Sequence, residues 1–371
     1  MKRNRYALLM VCICLMTTMQ SMSIDISHLT LDQKIGQLFM VAAVADEYIA
    51  FWTLLKKRLK GCRLHKKYIA HLIRDFNIGG VIYLGKSDPI KQKERTAYFQ
   101  SLSDIPLFIG QDLEPGRVGS SIFPLMRDFP NNETLGTINS EKLTYKTAFS
   151  IGQVCKTLGV HINCAPVADV NNNPNNPVIN DRSFSGDPEI VAKHAIAFAH
   201  GLSDAGIIAC AKHFPGHGDT DVDSHYDLPK IAHDTERLHT IELYPFKQLI
   251  ANNIPAIMIG HLAVSAFEPQ HNVPSSLSKN IVTKLLREEL GFNGLIITDA
   301  LDMLGVTRYY SGGQAELQAL LAGNDVLLCP VDVPAAVAAI KQAIKDGLIS
   351  EQEIDVHVER ILQCKKLAGL Y

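Results

Sequence analysis

Between residues 211 and 229 the chain reads AKHFPGHGDTDVDSHYDLP, which places Lys212, three histidines (His213, His217, His225) and four aspartates (Asp219, Asp221, Asp223, Asp227) within nineteen residues. An apolar run, 206–211, feeds directly into it, as a buried strand feeds a functional loop. Gly216 and Gly218 give this stretch freedom, and Pro215 and Pro229 punctuate it. Charge this dense beside a buried strand is costly unless it does chemistry or holds a cation. A calcium loop is excluded by its own spacing. Asp219, Asp221 and Asp223 occupy its first, third and fifth positions, but the sixth is Ser224 rather than Gly and the twelfth is Lys230 rather than Glu. A zinc site stays open at this point, although neither HExxH nor CxxC accompanies the histidines. The other chemistry is proton transfer. Asp223 stands two residues before His225 and can orient its imidazole and support its charge, making it a proton donor near neutrality.

The elements that must position these residues come next. With 371 residues, 47% hydrophobic and 20% charged, the chain has the composition of a soluble globular protein with a sizeable core. A net charge of −2 argues against nucleic acid as its partner. Lys2, Arg3 and Arg5 precede an apolar run from Tyr6 to Met16 and a polar stretch ending Ser21-Met22-Ser23. That order predicts a secretory signal over 1–23 and a mature chain over 24–371 without an integral membrane span. Ile13 before Cys14 disfavours lipidation. Outside the signal, Cys164, Cys210 and Cys329 lie in strand-like apolar runs, Cys62, Cys155 and Cys364 elsewhere, and no spacing demands a metal or disulfide framework. A basic helix-like segment over 51–76 reads as a solvated face more readily than as a membrane-surface helix.

Beyond that segment the pattern becomes rhythmic. β-rich apolar runs fall at 37–44, 80–84, 106–110, 160–165, 206–211, 255–260, 294–298 and 325–329. Helical compositions separate most of them, among them 140–158, 189–204, 235–251 and 278–290. Eight strands alternating with helices predict a single α/β domain, a (β/α)8 TIM-type barrel, with a doubly wound sheet as the alternative. The Asn-rich tract 171–177 reads as a long loop within it. In such barrels function sits after the C-terminal ends of strands. Here Asp112 and Glu114 follow the third run, and Asp169, Asp181 and Arg182 the fourth. Lys212 and His213 follow the fifth, His261 the sixth and Asp299 the seventh. Asp299 could also be a helix N-cap, and Asp302 is a neighbouring carboxylate.

With these residues in place, the chain after the signal resembles the β-N-acetylhexosaminidase branch of glycoside hydrolase family 3. The resemblance rests on KHFPGHGDTDVDSH at 212–225, APVADV at 165–170, DRSF at 181–184 and TDALDM at 298–303. It implies that Asp299 is the nucleophile and that His225, paired with Asp223, is the general acid/base. It further implies that Asp112, Arg182, Lys212 and His213 bind an N-acetylglucosamine unit, with no cofactor or metal. Carboxylate attack at the anomeric carbon and protonation of the leaving oxygen are what a retaining glycosidase requires. The substrate implied is a GlcNAc-terminated glycan or peptidoglycan fragment. Pro115 and Ser120 depart from the family's third-strand pattern, where glycine and arginine are usual. Phosphorolysis on the same scaffold, a sugar-binding envelope protein without activity and a metallohydrolase are the competing readings.

Overall fold

The computed structural model describes residues 25–45, 65–85, 88–116, 125–126 and 128–371. The signal-like leader, Cys62, Ser120 and the first fourteen residues of the basic segment lie outside them; the rest of that segment carries the helix Lys66–Phe76. Eight strands line the centre: β1 (Phe39–Ala43), β2 (Gly80–Tyr83), β3 (Phe108–Gln111), β4 (Ile162–Asn163), β5 (Ile208–Phe214), β7 (Ala256–Ile259), β9 (Leu295–Thr298) and β10 (Leu327–Leu328). A separate short pair, β6 (Lys230–Ile231) and β8 (Ala263–Val264), lies beyond the charged loop.

Each strand pairs in parallel with its neighbours in the order β10-β1-β2-β3-β4-β5-β7-β9. The bridge between Ile297 and Val326 brings β9 to the β10 end and closes the ring. The register runs Phe39 against Leu327, Met40 against Gly80, Val81 against Ile109, Gly110 against Ile162, Cys210 against Ala256 and Ile257 against Ile296. The chain is therefore the (β/α)8 barrel that the alternating runs predict, and not a doubly wound sheet. Strands buried on both faces need no polar alternation, which is why they read as unbroken apolar runs.

The helices start where side chains can receive their first backbone N–H groups. Ser140 caps Glu141–Leu158, Asp187 caps Pro188–Asp204 and Ser350 caps Glu351–Leu367. The expected helix over 235–251 is two, Thr235–Thr240 and Tyr244–Ala251. Pro245 explains the break, since its ring supplies no N–H and favours a first-turn position.

Polar groups close the N-terminal end of the barrel. Lys365 is fully buried and its Nζ donates to Gln37 Oε1 at 2.6 Å, while burial pushes its pKa down to about 7. Asp325, buried ahead of β10, accepts from His357 Nδ1 at 2.8 Å and Arg360 Nη1 at 3.1 Å and pairs with Arg287. Among the described residues no helix is long and apolar enough to cross a membrane, and Cys155, Cys164, Cys210, Cys329 and Cys364 are free, buried thiols.

Candidate active site

The opposite end of the barrel collects the chemistry. Strand β5 runs further than its apolar composition predicts, to Phe214, so Lys212 and His213 belong to its C-terminal end rather than to the loop after it. The extension is held by Lys212 N donating to Pro166 O at 3.0 Å and by Ala168 N donating to Lys212 O at 2.7 Å. A charged strand end of this kind stays buried only with partners, and they are supplied from the segments that follow other strands. Lys212 Nζ donates to Asp112 Oδ1 at 2.7 Å and lies 2.6 Å from Glu114 Oε1. Arg182 grips Glu114 with two parallel bonds, Nε to Oε2 and Nη2 to Oε1, both 2.9 Å.

Glu114 is thus the counter-ion at the centre of the cluster. Burial acts to raise its pKa, but Arg182 and Lys212 outweigh it and hold the carboxyl well below the ordinary range. Burial likewise works against the charge on Lys212, and Asp112 and Glu114 reverse it, keeping the ammonium protonated. In the sequence Glu114 shows only as a carboxylate that, with Asp112, follows the third apolar run. Its role comes from Arg182, 68 residues away.

His213 is oriented by Asp169, a buried carboxylate. His213 Nδ1 donates to Asp169 Oδ2 at 2.7 Å, which leaves Nε2 facing Arg182 Nη2 at 3.5 Å. Asp169 Oδ1 also accepts the backbone N–H groups of His213 at 3.2 Å and His217 at 2.7 Å. One carboxylate therefore fixes both the imidazole in the site and the first turn of the charged loop. Burial tends to raise the pKa of Asp169; the neighbouring His213 and His217 bring it down.

Asp299 follows β9 directly, its backbone N–H donating to Ile259 O at 2.8 Å. Its Oδ1 accepts the N–H of Ala300 at 2.8 Å, yet the next helix, Leu304–Thr307, is preceded by Met303, so Asp299 is not a helix cap. Burial raises its pKa, but His261, His213, the Ala300 N–H and His225 together bring it down to about 2. His261 is itself buried, with Nδ1 against Ser276 Oγ at 2.7 Å and Nε2 donating to Ala300 O at 2.9 Å. Burial pushes its pKa down, and its bond to Ala300 O steadies the backbone one residue beyond Asp299. Asp302 lies on the exposed turn beyond.

The charged loop spans the rim above these groups. His225 Nδ1 meets Asp223 Oδ1 at 2.7 Å and its backbone N–H donates to the same oxygen at 2.8 Å, so the dyad expected from the sequence forms within the loop. The imidazole is 61% exposed, in contrast to the buried groups beneath it. His217 ties the loop to itself, with Nδ1 against Thr220 Oγ1 at 2.8 Å and Nε2 against Ser224 Oγ at 3.1 Å. Burial pushes its pKa down to about 4, so it bridges as a neutral ring.

The Asn-rich tract holds the loop from below. Asn176 Nδ2 donates to His217 O at 2.8 Å and Gly218 O at 3.0 Å, and Asn173 Nδ2 to Thr220 O at 3.3 Å. A side chain at Gly218 would come within 1.9 Å of Val170 O, so only glycine allows this approach.

Among the described residues, Asp219, His233 and Glu242 have ligand atoms within 4.8 Å of one another and are the group with metal-ligating spacing. Arg237 Nη2 lies 3.1 Å from Glu242 Oε1 and 3.6 Å from Asp219 Oδ2, supplying positive charge to that group itself. The remaining histidines noted in the sequence are elsewhere. His161 Nδ1 accepts from Ile109 N at 3.0 Å, His194 is buried against Thr144, and His200 is exposed. Asp181 accepts from Asn131 Nδ2 at 3.1 Å.

The structure therefore defines a parallel (β/α)8 barrel whose polar groups converge at the C-terminal rim: a rigid ionised carboxylate, a caged pair of cations and a histidine on a loop. The sequence profile described as "Glycosyl hydrolase family 3 N terminal domain" matches residues 30–364, and the chain belongs to that family. It is 32% identical over 370 residues to beta-hexosaminidase A of Pseudoalteromonas piscicida, covering 91% of this chain and 61% of that protein. A solved glycoside hydrolase family 3 beta-N-acetylglucosaminidase from Paenibacillus sp. str. FPU-7 superposes with TM-score 0.79 at 35% identity, over 92% of this chain and 63% of that one. The beta-glucoside phosphorylase BglX bound to 2FGlc superposes with TM-score 0.81 at 25% identity, over 93% and 60% of the two chains. The chain thus spans about three fifths of the length of each of these relatives.

Proposed function

We propose that this chain is an exo-acting β-N-acetylglucosaminidase that releases terminal β-linked GlcNAc with retention of configuration. The observation that carries the reading is the division of the site. A half-buried carboxylate held ionised at the end of β9 suits a nucleophile, and an exposed Asp223–His225 dyad on a loop suits an acid that must approach and leave. Asp112 is one-third exposed at the rim of the cage, so it remains open to sugar hydroxyls, and Lys212 and Arg182 hold the cage in register. The beta-hexosaminidase and beta-N-acetylglucosaminidase named among the relatives support the choice of sugar.

The test is a comparison of aryl β-N-acetylglucosaminide with aryl β-glucoside. The first should be cleaved far faster, and equal or reversed preference would remove the assignment. Phosphorolysis is the second reading, favoured by the likeness to BglX and by an acid that, when neutral, does not repel phosphate. Running the assay in phosphate separates the two: a sugar 1-phosphate product selects phosphorolysis, free GlcNAc hydrolysis.

Glycans exposed outside the cytoplasm, peptidoglycan fragments among them, are the substrate class we assign, on the strength of the signal-like order over 1–23. A reporter fused after Ser23 should leave the cytoplasm, and a reporter kept inside with its N-terminus intact overturns that placement.

A further inference from the structure

His225 is held along its own loop by Asp223, but the residues on either side of it are held by a different part of the barrel. Ser224 O accepts the N–H of Gly305 at 3.2 Å. Arg308 Nη1 donates to Asp227 Oδ2 at 2.7 Å, and its Nη2 to Tyr226 O at 3.4 Å. A side chain at Gly305 would lie 3.1 Å from Ser224 O and 3.4 Å from Asp227 O, so the two segments are in direct backbone contact. Gly305 and Arg308 belong to the segment that follows Asp299 out of β9. We propose that Arg308 is a positioning residue for the acid, latching the loop that carries His225 onto the segment that carries Asp299. This rests on the assignment of those two residues to the acid and the nucleophile.

The chemistry needs such a coupling. The attacking carboxylate and the proton donor must act on one glycosidic bond from opposite sides. Asp299 is fixed by the barrel, whereas His225 is exposed and stands on a loop whose neighbouring residues, Tyr226 and Asp227, are at least partly exposed too. A bond from Asp227 to the nucleophile's own segment sets the distance between the two groups without touching either. The pair is half-exposed on both sides, at 50% and 44%, so it adds little to the stability of the whole fold. Its effect falls on the fraction of time the loop is seated.

The experiment compares Arg308→Ala, Arg308→Lys, the single variants Arg308→Asp and Asp227→Arg, and the charge exchange that combines those two. Two readouts are taken, kcat/KM on a GlcNAc disaccharide and kcat/KM on nitrophenyl β-GlcNAc. For a retaining enzyme kcat/KM reports formation of the glycosyl-enzyme, and only the sugar leaving group needs the acid there. Arg308→Ala should lower the disaccharide value about tenfold, part of the roughly 10²–10⁴-fold contribution of a general acid. The nitrophenyl value should change less than about twofold on the same reasoning. The lysine and the exchanged pair should each recover most of the loss. An equal fall on both substrates, or an exchanged pair as poor as its single variants, overturns the latch. Amide hydrogen exchange of the free protein gives a reading that does not depend on substrate. Residues 219–227 should exchange faster in Arg308→Ala while the barrel strands do not change, and unchanged exchange in that loop also overturns it. A wild-type protein without turnover on either substrate would instead count against the proposed function, and the exchange measurement would still decide the latch.

Discussion

Replacing Asp299 by Asn abolishes turnover of every substrate, whatever its leaving group. The side chain is nearly isosteric and Oδ1 can still accept the Ala300 N–H, so the loss comes from charge and not from collapse of the rim. A covalent glycosyl-enzyme requires an ionised carboxylate at the anomeric carbon, which an amide cannot supply. Removing a covalent nucleophile costs on the order of 10⁴-fold or more in kcat. Because its surroundings hold the Asp299 carboxyl at about 2, it is ionised through the neutral range and well below it, so loss of activity on mild acidification should not trace to this group. Steady-state assays on nitrophenyl β-GlcNAc and on a disaccharide check both points. Near-normal rates of the Asp299→Asn variant on either substrate would move the nucleophile elsewhere.

His225→Ala separates the two halves of the reaction. A nitrophenolate leaves with little protonation, so formation of the intermediate is partly spared, while its hydrolysis, which needs a base, is slowed. A sugar leaving group is poor, and its cleavage falls by roughly a hundredfold or more, the ordinary scale for a general acid/base. Asp223→Ala gives the same pattern in milder form, since Asp223 only orients and supports the imidazole it meets at 2.7 Å. Azide, which needs no base, restores the His225→Ala rate on the aryl substrate and is recovered as the β-glycosyl azide, the product of two inversions. An α-configured product would refute retention. Near-normal disaccharide cleavage by His225→Ala would place the acid on another residue.

Much of this arrangement is legible in the residues themselves, for identifiable reasons. The eight strands show as apolar runs because a parallel barrel buries both faces of each. Asp223 and His225 show because their partnership is local, two residues apart on one loop. What the sequence hides is long-range. Lys212 and His213 read as loop because they are polar; they are strand because Glu114 and Asp169 receive them, and the 44-residue separation of Asp169 and His213 carries no pattern that says so. The Asn-rich tract reads as a connection, and only its contacts with His217, Gly218 and Thr220 reveal it as the bed of the loop that carries His225. Arg308 and Asp227 stand 81 residues apart, and nothing in either neighbourhood pairs them.

In the reaction proposed above, the contrast between a half-buried carboxylate and an imidazole 61% open to water would also set how protons travel through a catalytic cycle. Asp299 as nucleophile would trade its charge for a covalent bond and back again without taking up a proton. With His225 as acid/base, the proton that the leaving sugar takes and the one stripped from the incoming water would both pass through a ring in contact with bulk solvent. No internal wire of waters or hydroxyls is required to refill it. That cycle would draw no proton from the interior ion pairs between Lys212, Glu114 and Arg182.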